Sequence, residues 1–573
     1  MNDAAPTSSP GSSSTATCRR WWLAGLVHAV ILYVALPPVG WWWLVFVAPA
    51  PLAMVAVGAD RRRTVIACLG VPMIVTWLLH QWWVGAVSAL GLPPMACYLA
   101  AWTAIMGLAV RRVARSPRFA SLPLALLLPP VWLFVEWLRA DVVFDGYPWY
   151  LLGQPLVEWA PLAQVADVGG VMFVALLPAA IGGLLADLAL RRGSAGTRRV
   201  ASIGVVMFAL FWIVYGVWRI STAPAVPGPT VLAIQTNLPQ SNKVGWAPAD
   251  QWRDANEFAT RTVDAVRAAD SAGTPIDLVA WPETMLPGVG LEPASTGFMK
   301  SAGWWPGERF ADLVSQLQSI VARPLLLGSA SFDGLRLAED GERLDWNARH
   351  NSVYLVDGGG PASLVRYDKI FLTPFGETMP YISAWPWLES RLLDFGARGM
   401  QFDLEPGAGP VRFDVPWIRS DGESTHVGVA TPICFEDTVP AVCRELVWDG
   451  DRKAVDLLVN ASNDGWFGDW PGPRGVHLQL ARFRCIENRV PMVRAVNTGR
   501  SASIDAVGRL VEVLPALEPG TLVAPVTLDD RRPPYATLGR WPVLLVAAIG
   551  LVLVLGGRGQ RRAEVAIEQA DAA

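Results

Sequence analysis

Charged side chains are scarce in this chain. They occupy 17% of its 573 positions, and the formal net charge at pH 7 is only −3. Soluble domains carry about 25% charged residues, so the deficit argues against an ordinary soluble protein over the whole length. The near-neutral balance also gives no reason to expect a nucleic acid partner, because nucleic acid binding needs clustered Lys and Arg.

Cysteine and histidine are also few, with six and five copies. No spacing among them matches a metal site, and no glycine-rich phosphate cradle is present, so we expect neither metal nor cofactor. Cys434, Cys443 and Cys485 lie in the most polar part of the chain. A bridge between Cys443 and Cys485 stays open, although we favour both as small buried apolar residues.

What the chain has instead is a series of long apolar runs. A bilayer core about 30 Å thick needs about 20 apolar helical residues. Eight candidate spans are present, at 21–37, 41–58, 64–85, 95–111, 123–140, 162–190, 200–220 and 538–557. The alternative is a large soluble protein with buried helices, but that alternative does not explain where the arginines occur.

Arginines occur in every second connection between the apolar runs. They stand at 19–20, 61–63, 111–118, 191–199 and 558–562, whereas the connections at 38–40, 86–94 and 141–161 contain no Lys or Arg. Positive charge marks the cytoplasmic side of a membrane protein. The pattern therefore predicts that both termini are cytoplasmic and that the segment between the last two runs is outside.

We therefore predict a polytopic α-helical membrane protein of about eight spans that carries one large polar domain. Its five parts are a disordered cytoplasmic N-terminus (1–20), a bundle of seven membrane helices (21–220), an extracytoplasmic domain (221–535), an eighth membrane helix (536–557) and a cytoplasmic tail (558–573). This organisation predicts a multi-pass location in a membrane, with the bilayer itself as a partner.

Strand-like and helix-like segments alternate in the polar domain, which predicts a layered α/β fold. The strands are predicted at 230–235, 277–280, 324–328, 351–356, 426–431, 454–459, 492–496 and 502–505, and the helices near 249–269, 307–322, 439–448 and 473–488. Two stretches rich in Gly, Pro, Trp and Phe, 287–306 and 380–397, interrupt the pattern. We interpret them as mobile arms over the site, with packed surface loops as the alternative.

Three chemically active side chains stand at the ends of predicted strands. Cys434 follows the strand 426–431 and precedes a helix expected near Val439, where helix N–H groups favour a thiolate and can donate to an oxyanion. Glu283 follows the strand 277–280, and Lys369 lies between these two residues in the chain. Glu, Lys and Cys are the groups that thiol-based acyl transfer needs.

The motifs around these residues carry a resemblance. They are Trp281-Pro-Glu283, Tyr367-Asp-Lys369, Pro432-Ile-Cys-Phe-Glu436 and Ser462-Asn-Asp-Gly-Trp-Phe-Gly468. Together they resemble the nitrilase, or carbon–nitrogen hydrolase, superfamily. Glu136-Trp-Leu-Arg139 and Gly146-Tyr-Pro-Trp149 add a membrane signature, so residues 21–557 are similar to the apolipoprotein N-acyltransferase family of bacteria.

The resemblance implies an αββα sandwich on a membrane bundle, a location in a bacterial inner membrane, and a two-step reaction. A fatty acyl chain passes from a phospholipid donor, through a cysteine thioester, to the N-terminal amine of an S-diacylglyceryl-cysteine apolipoprotein. The resemblance makes Cys434 the nucleophile, Glu283 the proton acceptor and Lys369 the third member of the triad. The remaining implied site residues are Glu377 and Glu436, which orient the lysine, Phe435, whose N–H donates to the oxyanion, and the pocket candidates Asn351, Trp466 and Arg139.

Two other functions fit parts of the pattern. A membrane-anchored amidase or nitrilase would use the same Glu-Lys-Cys set with water as the acceptor, but a small polar substrate needs no lipid access. A lipid-binding scaffold with an inactive domain is the second alternative. It is disfavoured because Glu283, Lys369 and Cys434 are all present.

Overall fold

The computed structural model describes residues 11–239, 245–359, 364–382, 385, 387, 391, 404–419 and 422–557. Its helices are α1 (Gly11–Ala35), α2 (Pro49–Gly58), α3 (Arg62–His80), α4 (Val84–Val87), α5 (Leu92–Ala114), α6 (Leu124–Trp137), α7 (Ala160–Ala163), α8 (Ala166–Phe173), α9 (Leu176–Ala189), α10 (Ala195–Ser221), α11 (Pro248–Ser271), α12 (Pro293–Ser301), α13 (Arg309–Val321), α14 (Pro440–Val447), α15 (Pro471–Asn488), α16 (Pro534–Leu538) and α17 (Trp541–Gly556). Its strands are β1 (Val226–Gln235), β2 (Leu278–Ala280), β3 (Leu325–Asp333), β4 (Arg336–Leu337), β5 (Leu344–Asp345), β6 (Ala348–Val356), β7 (Val365–Asp368), β8 (Phe413–Ile418), β9 (Ser424–Ala430), β10 (Trp448–Asp449), β11 (Arg452–Lys453), β12 (Leu457–Ser462), β13 (Met492–Val496), β14 (Ala502–Ile504), β15 (Leu510–Val513) and β16 (Gly520–Leu528).

Helices α1 to α10, together with α17, form the membrane part of the molecule. Each predicted apolar segment contains a helix. By length and composition, however, only α3, α5 and α10 could cross a membrane within the described residues, and the pair α8 and α9, bent by 57°, could add a fourth span. Some predicted spans are divided into shorter helices. The span 41–58, for example, consists of the 3₁₀ segment Trp42–Phe46 followed by α2.

Helix α1 begins at Gly11, inside the first predicted part, 1–20. The disorder predicted for that part stays a prediction. Extending an existing helix costs far less than starting one, so the apolar segment that follows can carry residues 11–20 into helix. Residues 1–10 and the predicted tail at 558–573 lie outside the described residues.

Two six-stranded sheets face each other in the polar domain. Their strand orders are β16-β1-β2-β3-β6-β7 and β15-β14-β13-β12-β9-β8. Alternation along β1 sends Val231 and Ala233 into the core shared by both sheets, and Leu232 and Ile234 into the core shared with α11 and α13. Helices α14 and α15 cover the second sheet, which gives the predicted nitrilase-like sandwich.

All eight predicted strands and all four predicted helices of this domain are present. The stretch 287–306 contains the helix α12, and its interpretation as a mobile arm over the site stays a prediction. Glu292 anchors the start of α12 by accepting from Tyr354 Oη at 2.9 Å and pairing with Arg366 at 2.5 Å. Most of the second predicted arm, 380–397, lies outside the described residues.

Helix α15 joins the two parts of the molecule. One face sends Val476, Leu480 and Phe483 into the core of the membrane part. The opposite face sends Leu478 and Cys485 into the core of the sandwich. A helix that is apolar on two faces must be covered on both, so α15 sets the catalytic domain directly on the membrane part.

Buried charges fix the same junction. Asp167 of α8 pairs with Arg219 of α10 at 2.6 Å and with Arg489, next to the end of α15, at 2.5 Å. All three side chains are buried. Because removal of one partner would leave an uncompensated buried charge, this cluster holds the orientation of the catalytic domain over the membrane part.

Candidate active site

The structure brings the predicted catalytic residues together at one end of the sandwich. Lys369 directly follows β7, and its backbone N–H donates to the carbonyl of Asn351 at 2.8 Å. Asn351 Nδ2 donates to Glu283 Oε1 at 2.6 Å and to Glu377 Oε1 at 3.4 Å. Lys369 Nζ donates to Glu377 Oε2 at 2.6 Å. Asn351 therefore supports the two carboxylates rather than standing free in a pocket.

Lys369 keeps its positive charge although only 1% of it is exposed. Burial alone would lower the pKa of the ammonium, but the neighbouring carboxylates, Glu377 first and then Glu283, more than offset burial and raise that pKa above its usual value. Glu377 is the direct partner, with its Oε2 2.6 Å from Nζ. The site holds a fixed cation beside the sulfur.

Cys434 stands in a strained turn. Its φ is +50°, in the left-handed region that side chains other than glycine seldom adopt, and it begins the 3₁₀ turn Cys434–Thr438. Burial raises the pKa of its thiol well above the usual value, Glu283 raises that pKa further, and Lys369 lowers it. The effect of burial thus outweighs the stabilisation of a thiolate that a helix N-terminus was expected to give. Cys434 starts a five-residue turn, and α14 begins only at Pro440.

Glu436 ties the two catalytic loops together. Its carboxylate accepts from the backbone N–H groups of Ile370 and Phe371 at 2.8 and 3.0 Å, directly after Lys369. It also accepts from the N–H of Ile433 at 2.7 Å, directly before the nucleophile. The expected role of orienting the ammonium belongs to Glu377, while Glu436 positions the backbone on both sides.

Changing Glu436 to Gln is expected to weaken this link. Burial raises the pKa of Glu436 to about 7, against its hydrogen bonds, so losing the charge itself matters little near neutral pH. The amide replaces one acceptor by a donor, however, and leaves a buried N–H unsatisfied. We expect the free energy of unfolding to fall by about 1–3 kcal/mol, measured by denaturation in detergent, together with slower acylation of Cys434.

The matched control for that change is Glu445→Gln in α14, where the side chain is exposed. This variant should match the unchanged protein in both stability and acylation rate. Equal stability of the Glu436 and Glu445 variants would show that the backbone hydrogen bonds contribute nothing.

Phe435 lies between two aromatic rings. It stacks on Trp149 of the membrane part with ring centroids 6.2 Å apart, and on Phe371 at the same separation. Trp466, predicted as a pocket residue, is half-buried and packs against the apolar core of the membrane part. The motif Gly146-Tyr-Pro-Trp149 did not predict that Trp149 lies beside the site. The rigid Gly-Tyr-Pro turn before Trp149 is the sequence signal that could have indicated this position.

Arg139 supports a loop rather than lining a pocket. Its guanidinium donates to the carbonyls of Trp149 at 2.8 Å and Tyr147 at 3.1 Å, and the residue is 7% exposed. Glu136 accepts from the N–H of Leu152 at 2.8 Å in the same loop. The backbone carbonyls of this loop satisfy the guanidinium and hold the Trp149 ring against Phe435.

The question left open for Cys443 and Cys485 is answered by the structure, since both are buried and unbridged. Among the residues that the structure describes, no group of three His, Cys, Asp or Glu side chains could hold a metal ion.

Comparison with known proteins matches both parts of the chain. The family model for the N-terminal domain of apolipoprotein N-acyltransferase matches residues 28–184, and that for carbon–nitrogen hydrolase matches residues 238–533. The apolipoprotein N-acyltransferase of Geobacter metallireducens is 28% identical over 93% of this chain and 94% of that protein. The enzyme of the same name from Gloeobacter violaceus is 29% identical over 94% and 95%.

Among solved structures, a carbon–nitrogen hydrolase from Helicobacter pylori G27 covers 55% of this chain and 94% of its own, at 14% identity and a TM-score of 0.32. The two family matches, by contrast, include the motifs around Glu283, Lys369 and Cys434 and extend into the membrane part. The chain belongs to the carbon–nitrogen hydrolase family, and within it to the apolipoprotein N-acyltransferases.

Proposed function

We propose that this acyltransferase moves a fatty acyl chain from a membrane phospholipid, through a thioester on Cys434, to the N-terminal amine of a diacylglyceryl-cysteine lipoprotein. The observation that carries the proposal is the cluster of Glu283, Lys369 and Cys434, because Phe435, the residue after the nucleophile, stacks on Trp149 of the membrane part. The proposal has the lipid ester reach the site from the bilayer side.

The first half-reaction forms the thioester. Because burial keeps the Cys434 thiol protonated at rest, a base must remove its proton, and Glu283, held by Asn351, is the carboxylate placed to do so. The sulfur attacks the ester carbonyl carbon. Lys369 and the N–H of Phe435 stabilise the oxyanion, the C–O bond breaks, and Glu283 returns the proton to the departing lysophospholipid oxygen.

The second half-reaction uses the same groups to transfer the acyl chain from the sulfur to the amine. The α-amine of the lipoprotein attacks the thioester in its neutral form, and Lys369 again faces the oxyanion. Glu283 takes the proton that the nitrogen loses and passes it to the sulfur as the C–S bond breaks. The products are an amide and the original thiol, so no cofactor is needed.

The membrane arrangement belongs to the same proposal. We place eight spans in the chain, with cytoplasmic termini and with the catalytic domain on the outer side, because arginine occurs in alternate connections. Lys300 is an exposed residue of that domain, and Arg61 stands in a predicted cytoplasmic connection. A membrane-impermeant maleimide should label Lys300→Cys in intact spheroplasts but Arg61→Cys only after permeabilisation. Labelling of both in intact cells would contradict this topology.

The direct test is transfer between defined substrates. The purified protein receives a phospholipid with a mass-labelled acyl chain and a diacylated lipopeptide, and mass spectrometry follows the label. We expect the label first on Cys434, as a hydroxylamine-labile adduct, and then on the peptide amine. A lipopeptide with an acetylated N-terminus is the control and should leave the label on the enzyme.

Release of the label as free fatty acid, at a rate independent of the lipopeptide, would instead support the amidase-like hydrolase. The pairing of the site with Trp149 of the membrane part favours the acyltransferase, because hydrolysis of a small amide needs no such contact.

A further inference from the structure

A buried cluster of charged side chains lies beneath Cys434, and none of them takes part in the steps above. His477 of α15 stands at its centre and is 1% exposed. Its Nε2 lies 2.8 Å from Asp437 Oδ1 and 3.4 Å from the carbonyl oxygen of Cys434. Its Nδ1 lies 3.0 Å from Asp464 Oδ1. One imidazole thus joins α15 to two loops of the site.

The contacts fix the protonation state of this imidazole. A carboxylate only accepts hydrogen bonds, so a ring with a carboxylate at each nitrogen must carry a hydrogen on both. Burial alone would lower the pKa of His477, but Asp437 and Asp464 raise it to about 9. His477 is therefore an imidazolium at neutral pH.

Two carboxylates and three cations meet in the cluster. Asp437 and Asp464 are the carboxylates; the cations are His477, Arg494 of β13, with Nε 3.2 Å from Asp437 Oδ2, and Arg474 of α15, which with Arg494 also acts on Asp464. The rings of Trp149 and Phe467 cover the imidazole, with centroids 5.6 and 6.3 Å away. The two carboxylates, Arg494 and the two rings come from four different segments, face His477 and leave it shielded from water.

The cluster acts on the nucleophile in two ways. Asp437 belongs to the turn that begins at Cys434, so the bond from His477 holds that turn, including the strained backbone at φ +50°. The charge of Asp464 also disfavours the thiolate of Cys434. A cation on Asp464 reduces that effect because it cancels the negative charge that faces the sulfur.

We propose that His477 is a positioning residue for Cys434, which holds the turn through Asp437 and cancels the charge of Asp464 beneath the sulfur. The proposal rests on Cys434 being the nucleophile of the proposed function. It assigns a role to a histidine and to an aspartate of the Ser462–Gly468 motif that the acyl-transfer steps leave unused.

The test compares the pH dependence of Cys434 alkylation by iodoacetamide, followed on the peptide by mass spectrometry. In His477→Gln we expect the midpoint to rise by about one pH unit, and acylation of Cys434 at neutral pH to slow about tenfold, with the KM for phospholipid unchanged. His28→Gln is the matched control, because His28 is an equally buried histidine of the membrane part. It should leave the midpoint in place.

Two further variants separate charge from folding. Asp464→Asn removes the negative charge of this carboxylate and should lower the pH midpoint of Cys434 alkylation, whereas His477→Gln should raise it. In the double variant His477→Gln/Asp464→Asn the pH midpoint should return towards that of the unchanged protein. A folded His477→Gln with an unshifted midpoint, or an unshifted Asp464→Asn, would overturn the proposal.

Alkylation does not depend on acyl transfer. If the midpoints move as expected but the unchanged protein transfers no acyl chain, the proposed function fails and the role of His477 towards the sulfur stands.

Discussion

Changing Cys434 to Ala should abolish acyl transfer while leaving the protein folded. The side chain is small and only half-buried, so its loss should change the free energy of unfolding by no more than about 1 kcal/mol. Without the sulfur no thioester can form, and the remaining groups can only polarise the ester. We expect the transfer rate to fall on the order of 10⁴-fold or more, because removal of a nucleophile disables the groups that act with it.

Cys443→Ala is the matched control for this change. Cys443 is a fully buried cysteine of the same domain, and its Sγ lies 3.5 Å from the carbonyl of Glu436. The control should lose some stability but keep transfer activity, which is the reverse of the result for Cys434. A labelled acyl group on any other residue of Cys434→Ala, with transfer retained, would show that the nucleophile is assigned wrongly.

The central strands of the sandwich could be predicted from sequence, but its edges could not. Strands such as β12 and β13 are mostly apolar and buried on both faces, so their composition indicates them although each contains a polar residue. The strand β7, which was not predicted, has only four residues and includes Arg366. The strand β16 was not predicted either, and it pairs with β1, which lies near the opposite end of the domain in sequence. Edge strands of this kind form because a neighbouring strand offers hydrogen bonds, and the local sequence does not show which strand will be the neighbour.

The same limit applies to the site. Motifs identified Glu283, Lys369 and Cys434, and the structure brings them together. The hydrogen-bond partners of the supporting residues could not be predicted, because they come from distant segments. Glu436 accepts from backbone groups that lie 65 and 66 residues earlier in the chain, and such a partner is fixed only by folding.

The contact with the membrane part supports the proposal that carbon–nitrogen hydrolase chemistry acts here on a lipid. Helix α15 is apolar on both faces, and the loop held by Arg139 brings Trp149 against Phe435, next to the nucleophile.

Changing Lys369 to Met is the second substitution with a large expected effect. Loss of one donor to a developing oxyanion typically slows a reaction on the order of 10²–10³-fold. Because Lys369 also lowers the pKa of the Cys434 thiol, its loss should raise the pH midpoint of alkylation. The same change leaves Glu377 buried without its cation, so we expect the free energy of unfolding to fall by about 3–5 kcal/mol.

A second variant separates the catalytic loss from the loss of stability. In Lys369→Met/Glu377→Gln the buried pair is removed together, so much of the stability should return, whereas the transfer rate should stay low because the oxyanion still lacks its cation. Lys300→Met is the control, since Lys300 pairs with Glu308 on the surface, where ion pairs contribute little to stability. Recovery of transfer in the double variant would mean that Lys369 serves only to neutralise Glu377, and the triad would then reduce to Glu283 and Cys434.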